Sequence, residues 1–120
     1  MNIEEYRDYC IAKKGVTESF PFSKLPNVLV FKVLGKMFTA TDISNFEGIS
    51  VKCDPNNVEL LREIYSAVMP PAYMNKKHWN KIAMDHTIPD TLIKQWIDDS
   101  YDLVVKKLPL RDRSKLKDLP

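Results

Sequence analysis

The residues best equipped for chemistry lie together in Pro70-Pro71-Ala72-Tyr73-Met74-Asn75-Lys76-Lys77-His78-Trp79-Asn80-Lys81. The stretch holds three lysines, a histidine, two aromatic rings and two asparagines, and no acid. Ammonium groups neutralise phosphate and a ring can lie against a base or sugar, so these types suit a phosphate-bearing partner. Lys76, Lys77 and Lys81 are the candidate phosphate contacts, with His78 adding one more. Lys32, Lys36 and Lys52 are upstream candidates for the same role. The same residues also read as a core pair, Met74 and Trp79, inside a solvated rim of lysines; the stretch alone leaves both readings open.

Catalytic constellations are not visible. His78 and His86 are the only histidines, and Cys10 and Cys53 have no ligand spacing to either, so no metal is expected. Asp98 and Asp99 are adjacent on a predicted helix and point apart, which rules them out as an acid/base pair. There is no glycine-rich phosphate loop, nucleophile elbow or Cys–His arrangement. A non-enzymatic protein without a cofactor is the expectation.

The chain has 120 residues, 44% hydrophobic and 28% charged, as expected of a single domain with one core. No run approaches the roughly twenty apolar residues of a membrane span. The start, Met1-Asn2-Ile3-Glu4-Glu5, is polar and acidic, unlike a signal peptide, and two cysteines are too few for a disulfide scaffold. A cytoplasmic protein with free, inward-facing thiols is expected. The net charge of +2 conceals segregation. The acid-free central stretch is followed by Asp85, Asp90, Asp98, Asp99 and Asp102 against Lys94 alone. Then come Lys106, Lys107, Arg111, Arg113, Lys115 and Lys117 against Asp112 and Asp118. Such a chain attracts a polyanion locally while remaining near neutral overall.

The elements that must position these residues follow from periodicity and punctuation. Asn2 with Glu5 predicts a capping box for a first helix carrying Ile3, Tyr6 and Cys10 on one face and ending at Lys13-Lys14-Gly15. Val16 to Asn27 reads as a connector pinned to the core by Phe20 and Phe22. Val28 to Leu34 and Met37 to Thr41 read as strands joined at Gly35-Lys36, with glycine at the first central position of a type II′ turn. Ile49, Val51 and Cys53 mark a third strand, with Lys52 and Lys32 emerging on one exposed face. Asp54-Pro55 predicts the start of a second helix with Val58, Leu61, Ile64, Tyr65 and Val68 buried, Arg62 and Glu63 in water, and Pro70 as the stop. Tyr73 to Met84 reads as two short strands or one bent strand. Asp85-His86 is a turn in which histidine tolerates positive φ, and Thr87 with Asp90 caps the last helix. That helix buries Leu92, Ile93, Trp96, Ile97, Tyr101, Val104 and Val105, uses Ser100 for a close approach, and ends at Pro109. Residues 110–120 form a basic tail, mobile or loosely docked. The predicted class is α+β in the order α-β-β-β-α-β-β-α, with Trp79 and Trp96 both buried.

The pattern Pro70-x-x-Tyr73-Met74-Asn75-Lys76-x-His78-Trp79 resembles the signature of the MmcQ/YjbR family of small bacterial proteins. The likeness continues through Ile88-Pro89-Asp90 and Asp99-Ser100-Tyr101 to Leu108-Pro109. Upstream it includes Gly35-Lys36-Met37-Phe38 and Lys52-Cys53-Asp54-Pro55. The resemblance implies one two-layer α+β domain over residues 1–109, its antiparallel sheet packed with helices, similar to small secretion-chaperone and CyaY-like folds. It implies DNA binding through a double wing, here Val28–Thr41 and Tyr73–Met84. It also marks Asn75, Trp79, Ser100 and Tyr101 as signature positions with structural jobs. Two positions depart from the family pattern: Tyr73 stands where histidine is frequent, and His86 where glycine is frequent. The chaperone-like fold implies an alternative, a protein- or peptide-binding module. A contiguous basic face would favour DNA and an exposed apolar groove a peptide. A monomer or weak dimer is expected.

Overall fold

The computed structural model describes residues 1–120. Ten elements follow in order: α1 (Ile3–Ile11), β1 (Val16–Ser19), β2 (Val28–Val33), β3 (Lys36–Asp42), β4 (Gly48–Lys52), α2 (Val58–Ile64), β5 (Val68–Met69), β6 (Trp79–Ala83), α3 (Asp90–Lys106) and α4 (Leu110–Lys117). The α+β class and the expected order hold, with β1 and α4 as additions. The strands form one antiparallel sheet in the order β1-β2-β3-β4-β6-β5.

One face of the sheet carries the core. Leu29, Phe31 and Val33 of β2, Phe38 of β3, Ile49 and Val51 of β4 and Ile82 of β6 pack under Tyr6 and Cys10 of α1 and Ile93, Trp96, Ile97 and Val104 of α3. The predicted capping box starts α1: Asn2 accepts from the Glu5 N–H at 2.8 Å and Glu5 accepts from the Asn2 N–H at 3.1 Å. Lys13, read only as a helix-ending charge, pairs with Asp98 of α3, and Tyr9 donates to the same carboxylate, so α1 is tied to α3. Trp79 and Trp96 are both buried, and so is Cys10; Cys53 is partly exposed.

A bulge between Phe31 and Lys32 lets Phe38 turn into the core, where its ring meets Tyr101 edge-on at 5.4 Å. The Ser100 hydroxyl donates to the Phe38 carbonyl and accepts from the Lys52 N–H at 2.8 Å. Ser100 and Tyr101 thus both touch the start of β3, and the Tyr101 hydroxyl also donates to the Lys14 carbonyl at 2.6 Å. The β2–β3 turn has Leu34 (φ 44°) and Gly35 (φ 85°) as its central residues, between the paired Val33 and Lys36. Two positive φ values make a type I′ turn, not the expected II′, because the loop is Leu34-Gly35, one residue earlier than Gly35-Lys36, which puts glycine second and lets Leu34 pack against the core.

Several local expectations are corrected. Val16–Ser19 is an edge strand, and Phe20 and Phe22 are exposed instead of pinned inward. Asp54-Pro55 forms a turn in which Asp54 caps Asn56, so α2 begins later, at Val58, and ends before β5. Ile64 of α2 faces solvent, and Pro70 terminates β5, not a helix. The second hairpin is therefore β5–β6, with its first strand before Pro70, and Tyr73 to His78 is loop. His86 has φ 68° as expected, but Thr87 bonds Asp85, and Pro89 leads into α3. Residues 110–117 are helical, with Leu116 buried beside Gly15 and Leu34, so the tail is docked.

Candidate nucleic-acid interface

The central loop is held from three sides. Asn75 accepts from the Lys77 N–H through its side chain (2.8 Å), and its carbonyl accepts from the N–H groups of His78 (3.2 Å) and Trp79 (3.0 Å). The His78 carbonyl accepts from Cys53 at 2.8 Å, which joins the loop to the end of β4. Arg62 of α2, expected in water, supplies the third tie. Its Nε donates to Asn80 Oδ1 at 2.7 Å, and its Nη2 donates to the carbonyls of Lys76 (2.7 Å) and Trp79 (3.1 Å). Asn80 is itself buried and donates to the Val58 carbonyl at 3.3 Å. Asn75 thus closes the loop on itself, and buried Trp79 starts β6 directly after it. Arg62 was missed because its acceptors are mostly main-chain carbonyls distant in sequence, which no periodicity signals.

The register gathers most of the candidate lysines. β2 and β4 end, and β3 and β6 begin, at the same end of the sheet. Lys32 and Lys36 flank the β2–β3 turn, Lys52 closes β4, and Lys76 and Lys77 precede β6. Lys52 is partly buried, and burial together with the charge of Lys107 lowers its pKa. Lys36, Lys76 and Lys77 are exposed, Lys32 and His78 partly so, and none of these side chains is in an ion pair. Docked α4, which carries Arg113, Lys115 and Lys117, sets Leu116 beside Gly15 and Leu34 of the same turn. Lys81 is set apart. It pairs with Ser50 in mid-sheet, its stem lies over Gly48, and its charge helps keep the Asp42 carboxyl below its ordinary range, after the larger effect of bonds from Ser44. Asp42, Glu47 and Asp85 stand at the opposite end of the sheet.

The face of the sheet away from the core is a groove of about 640 Å³. Its floor comes from Met37, Ala40, Ser50, Trp79 and Lys81; its rims are the 20–27 segment, with Phe22 and Leu25, and the 70–75 segment, with Tyr73 and Met74. No helix contributes to the lining. Sequence reasoning missed this groove, because it exists only once two remote loops flank one sheet face. A second cavity of about 430 Å³ lies between α2 and α3, walled by Leu60, Leu61, Trp96 and Leu103. Cys53 and Asp99 reach it, and the Cys53 thiol pKa is pushed up by burial and by the nearby Asp54 and Asp99 carboxylates. No three His, Cys, Asp or Glu side chains converge as a metal cage. No helix is long and apolar enough to cross a membrane.

These features define a class: a two-layer α+β domain with an antiparallel sheet, helices on one face and a loop-rimmed groove on the other. The chain belongs to the YjbR family, whose model matches residues 11–103. It is 35% identical to the uncharacterized protein YjbR of Escherichia coli K12 over 99% of this chain and 100% of that protein. It is 34% identical to the uncharacterized protein YbdF of Escherichia coli O157:H7 over 87% and 90% of the two chains. The fold matches the crystal structure of Deinococcus radiodurans protein DR2400, a DUF419 domain, with a TM-score of 0.88 and 35% identity. That match covers 99% of this chain and 89% of the other. A Pseudomonas syringae protein matches with a TM-score of 0.72 at 25% identity over 86% and 98%.

Proposed function

We propose that this protein is a non-enzymatic nucleic-acid-binding module that grips phosphates, without reading bases, at the lysine-bearing end of its sheet. The observation that carries the reading is the convergence of Lys32, Lys36, Lys76 and Lys77, all free of ion pairs, at one end of the sheet, with the carboxylates of Asp42, Glu47 and Asp85 at the other. Four unpaired ammonium groups at one end steer a polyanion there, against the opposing carboxylate of Asp54, which follows β4 at that end. Lys81, beside Asp42, is dropped from the phosphate set. Lys52 is a weaker contributor, because its ammonium is partly buried.

If four lysines neutralise four phosphates, log affinity for duplex DNA falls against log salt with a slope of roughly −3.6. Lys76→Ala and Lys77→Ala should each make the slope shallower by about 0.9 and weaken all sequences alike. Anisotropy titrations of the full chain at several salt concentrations measure both quantities. An Arg113→Ser/Lys117→Ser variant measures the share of α4. A slope that ignores Lys76 and Lys77 but vanishes with the α4 charges would sink the assignment. The alternative, a protein-segment binder, draws on one specific observation, the apolar groove beneath Phe22 and Tyr73. It gains if no salt-dependent affinity for nucleic acid is found.

A further inference from the structure

Phosphate contacts at the end of the sheet leave the open-face groove unused. We infer that the groove receives unstacked bases of a single-stranded nucleic acid whose backbone the lysine end holds; the inference rests on the phosphate reading above. Tyr73 is 82% exposed and Phe22 is 39% exposed, so each rim offers an aromatic ring to solvent. Between them lie the side chains of Met37, Ala40 and Trp79 in a volume of about 640 Å³, within the range of ligand clefts.

Charge decides what such a cleft is suited to hold. Met37, Trp79 and Asn75 line the groove at the end of the sheet where Lys36, Lys76 and Lys77 stand. Tyr73-Met74-Asn75 line the groove and Lys76-Lys77 follow directly, so ring contacts and ammonium groups adjoin along one segment. A nucleotide chain has the matching alternation of ring and phosphate. An uncharged apolar peptide would fill the groove and leave the adjoining lysines without counterpart. At the far end Asp42 and Glu47 repel a phosphate, so the backbone is kept to the lysine end. Duplex bases are stacked and show only their edges, whereas a single strand exposes faces that stack on aromatic side chains.

The test is an anisotropy titration of the full chain with one short mixed-sequence oligonucleotide, as single strand and as duplex, alongside Phe22→Ala, Tyr73→Ala, Tyr73→Phe and Lys76→Ala. The single strand should bind more tightly than the duplex and quench tryptophan fluorescence through Trp79. Phe22→Ala and Tyr73→Ala should each weaken single-strand binding roughly 5- to 100-fold and leave duplex binding unchanged, while Tyr73→Phe retains affinity. Lys76→Ala should weaken both. Equal affinity for the two forms, indifferent to Phe22 and Tyr73 but sensitive to Lys76, overturns the groove assignment and leaves the phosphate reading standing. No salt-dependent binding of either form overturns the phosphate reading itself. An apolar peptide that fills the groove without displacing the single strand also overturns the groove assignment.

Discussion

Replacing Arg62 with alanine removes three hydrogen bonds that run from one guanidinium to Asn80 Oδ1 and to the carbonyls of Lys76 and Trp79. The three acceptors do not respond alike. The Lys76 carbonyl lies at an exposed position and regains water, so its loss is small. Asn80 is 1% exposed, and its amide oxygen is left dry, at a cost of about 1–3 kcal/mol. The Trp79 bond, at 3.1 Å and partly buried, adds about 1 kcal/mol. Arg62→Ala should therefore destabilise the protein by about 3 kcal/mol. With an m-value of roughly 1–3 kcal/mol/M, the urea midpoint falls by about 1–3 M. Arg62→Lys keeps the charge but not the planar fork, and should recover only about 1 kcal/mol. Amide exchange should accelerate at Lys77, His78 and Trp79 before it does in α3, because the loop is what the guanidinium clamps. A loss below about 0.5 kcal/mol, typical of a surface substitution, would refute the clamp. So would a lysine variant as stable as the parent.

Alkaline pH should expose the burial of Cys10, whose thiol is pushed up to about 12 mainly by burial, with Lys13 opposing and Asp98 adding to the rise. The unfolded chain releases this proton near the ordinary 9.0 and the folded chain holds it, so the stability is intact below that pH and is lost as pH climbs toward 12. Urea midpoints should show a fall of about 2 kcal/mol by about pH 10.5, smaller in Cys10→Ala; Tyr9, also raised to about 12 by burial and by its bond to Asp98, adds in the same direction. Gly15→Ala forces a side chain onto φ 73° and puts its Cβ 2.6 Å from Leu116 Cδ1. It should cost about 2 kcal/mol and make residues 110–120 protease-sensitive, whereas unchanged proteolysis would show that Leu116 does not hold α4.

What the sequence made legible was whatever local chemistry decides alone. Asn2 and Glu5 cap α1 because both partners lie within one turn, and the β-branched run from Val28 declares β2 without help. Trp79 and Trp96 are buried as apolar mass demands. β1 escaped because four mostly exposed residues at a sheet edge read as a connector. α4 escaped because Leu116 is its one buried side chain, and a single inward residue makes no stripe. The start of α2 was misplaced because Asp54-Pro55 carries a helix-start signal that a turn also satisfies. The lysines were legible as types, but their assembly was not: Lys36 and Lys76 meet at one end of the sheet only through the order β2-β3-β4-β6. Lys81, which looked equivalent, is separated from them by the same register.

The Ser100 hydroxyl stands between the Phe38 carbonyl and the Lys52 N–H, where strands β3 and β4 would otherwise bond to each other. Their direct pairing begins only at Thr39 and Val51. Beyond that point the sheet is forked. The β2–β3 tip is kept against its neighbour by the Phe38 ring on Tyr101 and by one inserted hydroxyl, not by a backbone ladder. The β2–β3 prong, which carries Lys36, is backed on its other side by β1, through the Val16–Val33 pairing and the Leu34 N–H bond to the Gly15 carbonyl, while the second prong carries Lys52 and leads on to Lys76 and Lys77. The gap between Lys36 and Lys52 is thus set by a side chain of α3 and not by the sheet's own ladder.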